Sequence, residues 1–371
     1  MKLLFENWRK YLKEAIGDKP GTVVPITANR MFDELKLYAG KKWIFFDTET
    51  QGFSASSFQL TEIGAISVDT GIEIEGDEMV WKNPPKVVSQ FNEKATLDNR
   101  SIGSMSAYYC LASNLDDGVA PVDTARENDV MSTLSAILKN EKVDCSQYKP
   151  FSIIGYEKKG KRESPMVVYR DDPEREDESL ADVRGAVKAG RERGFVASMT
   201  NYLGNEDVKR SDEQTMLKNF MKFLDDEGGP EGVVLIIHNA KFDMKMISRR
   251  FLTDPETGKA PHKGVKWWKG KVFDTVTLFQ RYFIPLLKTT QDKELMDKIK
   301  KGKFLSVSQG ILATAFEVNA EHWHTAIADV EMLMGVLYEV SKYVQEHGDV
   351  DIRKAYTQAY PKPKRRRRRR R

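Results

Sequence analysis

Cysteine is almost missing from this chain: Cys110 and Cys145 are the only two in 371 residues, and there is no Cys-x-x-Cys pair. That argues against a disulfide framework or a thiolate zinc site and suits a reducing cytoplasm. Long apolar runs are missing as well. Mean hydropathy is −0.52, and no stretch is apolar over the roughly 20 residues needed to cross a bilayer. A secretory leader is not expected either, because Glu6, Arg9 and Lys10 interrupt the apolar residues at the start. A net excess of positive charge is missing away from the C-terminus. The net charge is +4, and Lys362, Lys364 and the seven arginines Arg365–Arg371 supply nine cations, which leaves 4 less 9, or −5, for the rest. Polyelectrolyte attraction therefore begins at the tail.

The length fits two to three domains, or one domain carrying a large insertion. Residues 3–16 read as an amphipathic helix, with Leu4, Trp8, Tyr11, Leu12 and Ala15 at helical spacing. It either packs back on the body or docks on a protein partner or a membrane surface. Three strands are expected next, at Trp43–Asp47, Leu60–Val68 and Ile72–Trp81, forming an antiparallel meander with Gly71 at a turn. From Asp212 onward the pattern alternates: helix to Leu224, strand Val233–Ile237, helix 241–252, strand Lys271–Phe273, and helices at Val276–Phe283, Ser306–Phe316 and Ala326–Val344. Such alternation adds parallel strands to the meander, which predicts an α/β fold with a mixed sheet flanked by helices. Residues 93–204 do not fit the scheme. They hold a solvated acidic block at Asp171–Glu178 and a basic, helix-like stretch with Arg184, Lys188, Arg191 and Arg193. An insertion of that length should have some structure of its own.

Against this background three short segments stand out: Phe46-Asp47-Thr48-Glu49-Thr50, His238-Asn239-Ala240-Lys241-Phe242-Asp243, and His324 with Asp329 five residues later. A lone Asp-x-Glu occurs about once by chance in a chain this charged. Three segments in this order, each beside an apolar run, are another matter. Asp47 and Glu49 lie two apart on an extended backbone and so share a face. Asp243 falls in the first turn of the helix after a buried strand, and reactive groups gather at the carboxyl ends of such strands. Asp329 falls one turn into the terminal helix, with His324 just ahead of it. Taken singly these are a turn acid, a helix-dipole acid and loop histidines. Four acids at one point would repel one another unless cations sat between them. Two divalent metals about 3.5–4 Å apart are a standard device for phosphodiester hydrolysis. A histidine with an ordinary pKa near 6.5 suits proton abstraction from the attacking water.

These segments resemble the DEDDh (DnaQ-like) 3′–5′ exonuclease family of the ribonuclease H-like superfamily. The first motif is matched by Ile44–Phe53, followed by Glu62-Ile63-Gly64-Ala65-Ile66. The second is matched by Ile236–Asp243, and the third by the spacing of His324 and Asp329, while Asp274-Thr275 resembles a further family feature. The match covers roughly 41–82 and 210–345. It implies metal ligation of two Mg2+ or Mn2+ ions by Asp47, Glu49, Asp243 and Asp329, with His324 as general base. It further implies contact with the terminal nucleotide around Thr48, Thr50 and Phe53, with Asn239 supporting the second motif. On this reading residues 1–20 are the leader helix, 21–40 a linker and short helix, 41–92 and 205–347 the two parts of the exonuclease domain, 93–204 the insertion and 348–371 a disordered basic tail.

The expected substrate is a single-stranded or frayed DNA 3′ end, in proofreading or DNA processing, with exoribonuclease activity as the alternative. A different class, a binding or assembly protein on a nuclease scaffold, conflicts with the intact acids. Trp267-Trp268 with Lys263, Lys266, Lys269 and Lys271 could form a base-stacking ridge, though the tryptophans fit the core of a hairpin better. The arginine tail cannot build a core and is expected to hold phosphate backbones. It equally resembles a nuclear localisation signal or an appended tag. The short leader helix points faintly to a phage protein.

Overall fold

The run Trp43-Ile44-Phe45-Phe46 is apolar on both faces, and a strand of that kind must lie inside a sheet covered on both sides. A computed structural model of the protein describes residues 26–50, 59–75, 78–97, 151–159, 162–169, 208–251, 267–319 and 325–355. The run belongs to β1 (Lys42–Thr50), which lies inside a six-stranded sheet. One neighbour is β2 (Leu60–Asp69), antiparallel, with Asp47 opposite Gly64 and Glu49 opposite Glu62. The hairpin β3 (Ile72–Glu75) and β4 (Glu78–Trp81) comes next in sequence. Then β5 (Lys86–Ala95) pairs antiparallel with β2. The segments β6 (Phe151–Lys159) and β7 (Arg162–Tyr169) pair with each other, and β8 (Arg210–Ser211) lies parallel to β5. On the other side of β1, β9 (Val233–Ile237) and β10 (Lys271–Asp274) both run parallel to it, and the order across the sheet is β10-β9-β1-β2-β5-β8.

The sheet is the expected mixture of meander and parallel strands, but its third meander strand is not the expected one. Ile72–Trp81 folds on itself as β3 and β4, and β5 takes the place beside β2. A four-residue strand carrying Glu73 and Glu75 cannot match a ten-residue, almost wholly buried partner. The sheet keeps β5 as far as Ala95 and resumes at Arg210.

Helices cover both faces. On one face lie α2 (Glu213–Asp226) and α3 (Lys241–Phe251), packed on Ile44, Phe46, Leu235 and Ile237. Asp212 starts α2 by accepting the Thr215 N–H at 2.9 Å. Trp268 is 1% exposed in this layer, and Trp267 donates its indole N–H to the Met244 carbonyl. Trp268 is thus a core residue and Trp267 packs partly buried against it, so neither ring stands free for stacking, while Lys263 and Lys266 lie outside the described residues. The other face carries α1 (Arg30–Lys36), α4 (Thr275–Leu278), a wide π turn at Phe279–Phe283, α5 (Ile284–Thr290) and α6 (Lys293–Lys298). The short hairpin β11 (Lys300–Lys301) and β12 (Phe304–Leu305) follows, then α7 (Gln309–Ala315) and the long α8 (Ala326–His347). Thr325 caps α8 by accepting the Ala328 N–H, and Val330, Leu333, Val336, Leu337 and Val340 press its apolar stripe against Trp43, Phe45 and Ile66.

Near the two ends of the described body, the backbone is clasped. Ala28 N–H donates to Gly348 O at 3.0 Å and Ile352 N–H to Ile26 O at 2.8 Å. Among the described residues no helix is long and apolar enough to cross a membrane.

Candidate metal centre and active site

Alternation along β1 sorts its end residues. Thr48 and Thr50 are buried, whereas Asp47 and Glu49 are half-buried and share the Phe45 face that α8 covers. The first turn of α8 brings Asp329 to them, and the carboxylates of Asp47, Glu49 and Asp329 offer oxygens that all lie within 4.8 Å of one another. Asp243 arrives from α3, in the opposite helix layer. It is 1% exposed, and its Oδ1 accepts the Thr48 N–H at 3.2 Å and the Thr48 hydroxyl at 2.7 Å. Thr48 therefore turns away from the cleft and fixes this acid, leaving no side-chain group exposed to a substrate.

Four acids from both helix layers thus converge, and two of them, Asp47 and Asp243, are held above the usual carboxylate range. Burial holds the Asp47 carboxyl well above the usual range, and the charges of Asp243, Asp329, Glu49 and Glu62 push it further the same way. Burial also raises Asp243 to about 7 against the two Thr48 hydrogen bonds, which favour the charged form. Such a site lacks positive charge. Its donors are all carboxylate oxygens, the set that hard divalent cations such as Mg2+ or Mn2+ take. Asp47, Glu49 and Asp329 fit one shared cation, and Asp243 is near enough for its charge to act on Asp47.

A fifth acid had no assigned role. Glu62 sits across from Glu49 and beside Lys94 on β5, so a row of buried charge crosses three strands. It is 3% exposed and raised to about 7 by burial, with Lys94 and the Ala326 N–H opposing the rise. Lys94 is itself fully buried, and burial lowers its pKa while Glu62 resists. Glu62 thus holds the N-terminus of α8, the helix that bears Asp329. Two residues on, Gly64 lets that helix come close: a Cβ there would lie 2.5 Å from Ala326 C and Ile327 N. The available signal was a charged residue inside an otherwise apolar strand, which requires a partner.

The second motif is braced by its neighbour. Asn239 is exposed and takes φ 64°, the left-handed region that asparagine tolerates, and its N–H donates to Asp274 at 3.2 Å. Asp274 also caps α4 through the Val276 N–H at 3.1 Å. His238 Nδ1 lies 2.9 Å from the Thr275 hydroxyl, and burial drops its pKa to about 4 although Asp274 and the Val307 carbonyl favour the charged form. Gln309 donates to the Asp329 carbonyl from the start of α7. His324 and Phe53 lie outside the described residues, as do the leader helix and the arginine tail.

Three antiparallel strands extended by two parallel ones, with acids at the carboxyl end of the first strand and on two of the helices that cover the sheet, complete the pattern. The fold is ribonuclease H-like. No family model matches the sequence, and no curated protein sequence does. Solved structures similar to this ribonuclease H-like chain include E. coli exonuclease I with a dT13 oligonucleotide, at 11% identity and TM-score 0.39, covering 82% of this chain and 42% of that one. Exonuclease I from Methylocaldum szegediense is 13% identical at TM-score 0.37, covering 81% and 40%. S. pombe Pop2p in its Mg2+- and Mn2+-bound form is 10% identical at TM-score 0.35, covering 88% and 94%. The chain spans about two-fifths of the length of the exonuclease I structures it matches.

Proposed function

We propose that this protein is a metal-dependent 3′–5′ exonuclease that releases nucleoside 5′-monophosphates from DNA 3′ ends. The observation that supports it is the meeting of Asp47, Glu49 and Asp329 within 4.8 Å, with Asp243 buried beside them. Divalent cations bound there supply charge to polarise a phosphodiester and acidify water. In this reading all four acids are the ligands of a cation pair, and Thr48 aims Asp243. His324, next to the Thr325 cap of α8, takes the proton from the attacking water. Thr50, Phe53 and Asn239 flank the terminal nucleotide. The half-buried position of the acids favours a frayed or single-stranded end, which can reach a recess that a paired end cannot.

The test is digestion of single-stranded DNA and RNA labelled at either end, with Mg2+ or Mn2+, comparing wild type with Asp47→Ala. Shortening from the 3′ end that Asp47→Ala abolishes is the expected result, and the two polymers read the preference directly. Activity that survives the substitution would sink the assigned site, and no activity on either polymer would sink the exonuclease reading. Truncation after Tyr360 tests the tail. As a substrate tether its loss weakens digestion of long DNA at low salt, and unchanged digestion removes that role.

A further inference from the structure

A concavity of about 330 Å3 opens between the β11–β12 hairpin and helices α5 and α6. Its lining includes Lys288 of α5, Met296 and Asp297 of α6, and Lys300, Lys303 and Phe304 of the hairpin. That volume lies at the small end of the range for ligand sites. Three cations face one acid here, and among the described residues Lys288, Lys300, Lys301 and Lys303 have no ion-pair partner. Phe304 is 78% exposed. Its backbone is nevertheless fixed, since Lys301 pairs with it across a turn at Gly302, where φ is 63°. An aromatic ring exposed to water beside unpaired lysines is the equipment for a polyanion that also carries flat rings.

The chain ties this cleft to the acid cluster. Three residues after Phe304, the Val307 carbonyl engages His238, and Gln309 reaches the Asp329 carbonyl. Five residues span at most about 17 Å of backbone, a few nucleotides of single strand. We infer that the cleft is a second polynucleotide site, in which a base stacks on Phe304 while neighbouring phosphates lie against Lys288, Lys300 and Lys303, holding the strand behind its reacting end. This rests on the exonuclease reading for the direction of the strand, but not for the binding itself. An apolar protein partner would use Phe304 and gain nothing from the lysines.

The measurement is anisotropy of a labelled single-stranded oligodeoxynucleotide in EDTA across a salt series. Phe304→Ala should weaken binding about 5- to 150-fold, the loss of one stacked base, and Phe304→Tyr should restore it. Lys300→Ala with Lys303→Ala should cut the slope of log affinity against log salt by about 1.4, for two single-strand phosphates. Lys222→Ala on α2 is the control for loss of surface charge. Affinity and slope untouched by the hairpin variants overturn the inference, as does a wild type that binds no oligonucleotide. A free nucleoside monophosphate that competes as well as the strand overturns it too. Hydrolysis of the same oligonucleotide with Mg2+ reports separately on the acid cluster. Binding through Phe304 without hydrolysis keeps this site and sinks the exonuclease, whereas hydrolysis with Phe304→Ala binding normally does the reverse.

Discussion

Asp243→Asn should stabilise the cation-free protein at pH 8 while abolishing hydrolysis. The substitution keeps the geometry, because Asn Oδ1 can still accept from the Thr48 N–H and hydroxyl. What it removes is a charge that the fold resists. The folded Asp243 titrates at about 7 against an ordinary 3.8. A gap of about three pH units at ~1.4 kcal/mol each sets a ceiling of about 4 kcal/mol. The folded state keeps a proton that the unfolded chain has lost, so wild-type stability falls as pH rises from about 4 to about 7 and then levels off. Asp47 can take up the shared proton and relieve part of this, which makes about 2 kcal/mol at pH 8 a fair expectation. At 2–4 °C per kcal/mol, the variant should melt roughly 4–8 °C higher in EDTA. Below pH 4 the two proteins should melt together. Saturating Mg2+, at about 100 times its Kd, should raise wild type by about 2.7 kcal/mol and reverse the order. Thermal melts from pH 4 to 8, with EDTA and then Mg2+, check each step. A variant less stable than wild type at pH 8 in EDTA, or a difference that ignores pH, would refute the idea that burying the Asp243 charge strains the fold.

Three further outcomes test the supports of the site. Gly64→Ala forces a methyl against the α8 backbone, so urea denaturation should show a loss of about 1–3 kcal/mol, and activity should fall with it. Glu62→Ala deprives buried Lys94 of its neighbouring carboxylate and should cost about 3–5 kcal/mol, whereas Glu62→Gln with Lys94→Met should come close to neutral; equal losses in both would exclude a charge pairing. Thr48→Val removes one of the two hydrogen bonds to Asp243, and kinetics at varied Mg2+ should show about a 10- to 100-fold loss of activity or cation affinity.

Much of this was legible in the residue order, for physical reasons. The Trp43–Phe46 run of β1 and the whole of β9 are short, doubly buried and without polar interruption, and the period of two along β1 puts Asp47 and Glu49 on one face. α8 shows in its apolar spacing, which also fixes where Asp329 emerges. The strand β5 is not legible because it is half exposed and two of its three buried positions, Glu93 and Lys94, look like surface charge. Glu93 is satisfied by Asn219 on α2 and by Lys209, partners more than a hundred residues away. Glu62 and Lys94 likewise make sense only as register partners, and no local periodicity reveals a register between distant strands. The inward turn of Thr48 was hidden for a similar reason, since its acceptor belongs to a helix almost two hundred residues on. Trp267 and Trp268 were placed correctly in the core because flanking lysines can reach water while the rings stay buried.

The clasp between Ile26–Ala28 and Gly348–Ile352 makes the folded body nearly a closed loop of chain. Chains whose ends meet tolerate circular permutation. A short peptide joining the two ends, with new termini cut between β6 and β7, should therefore leave the sheet and its acids in place. The clasp also means that leader and tail depart from one spot. A label fixed at Ile26 would therefore lie beside one fixed at Ile352.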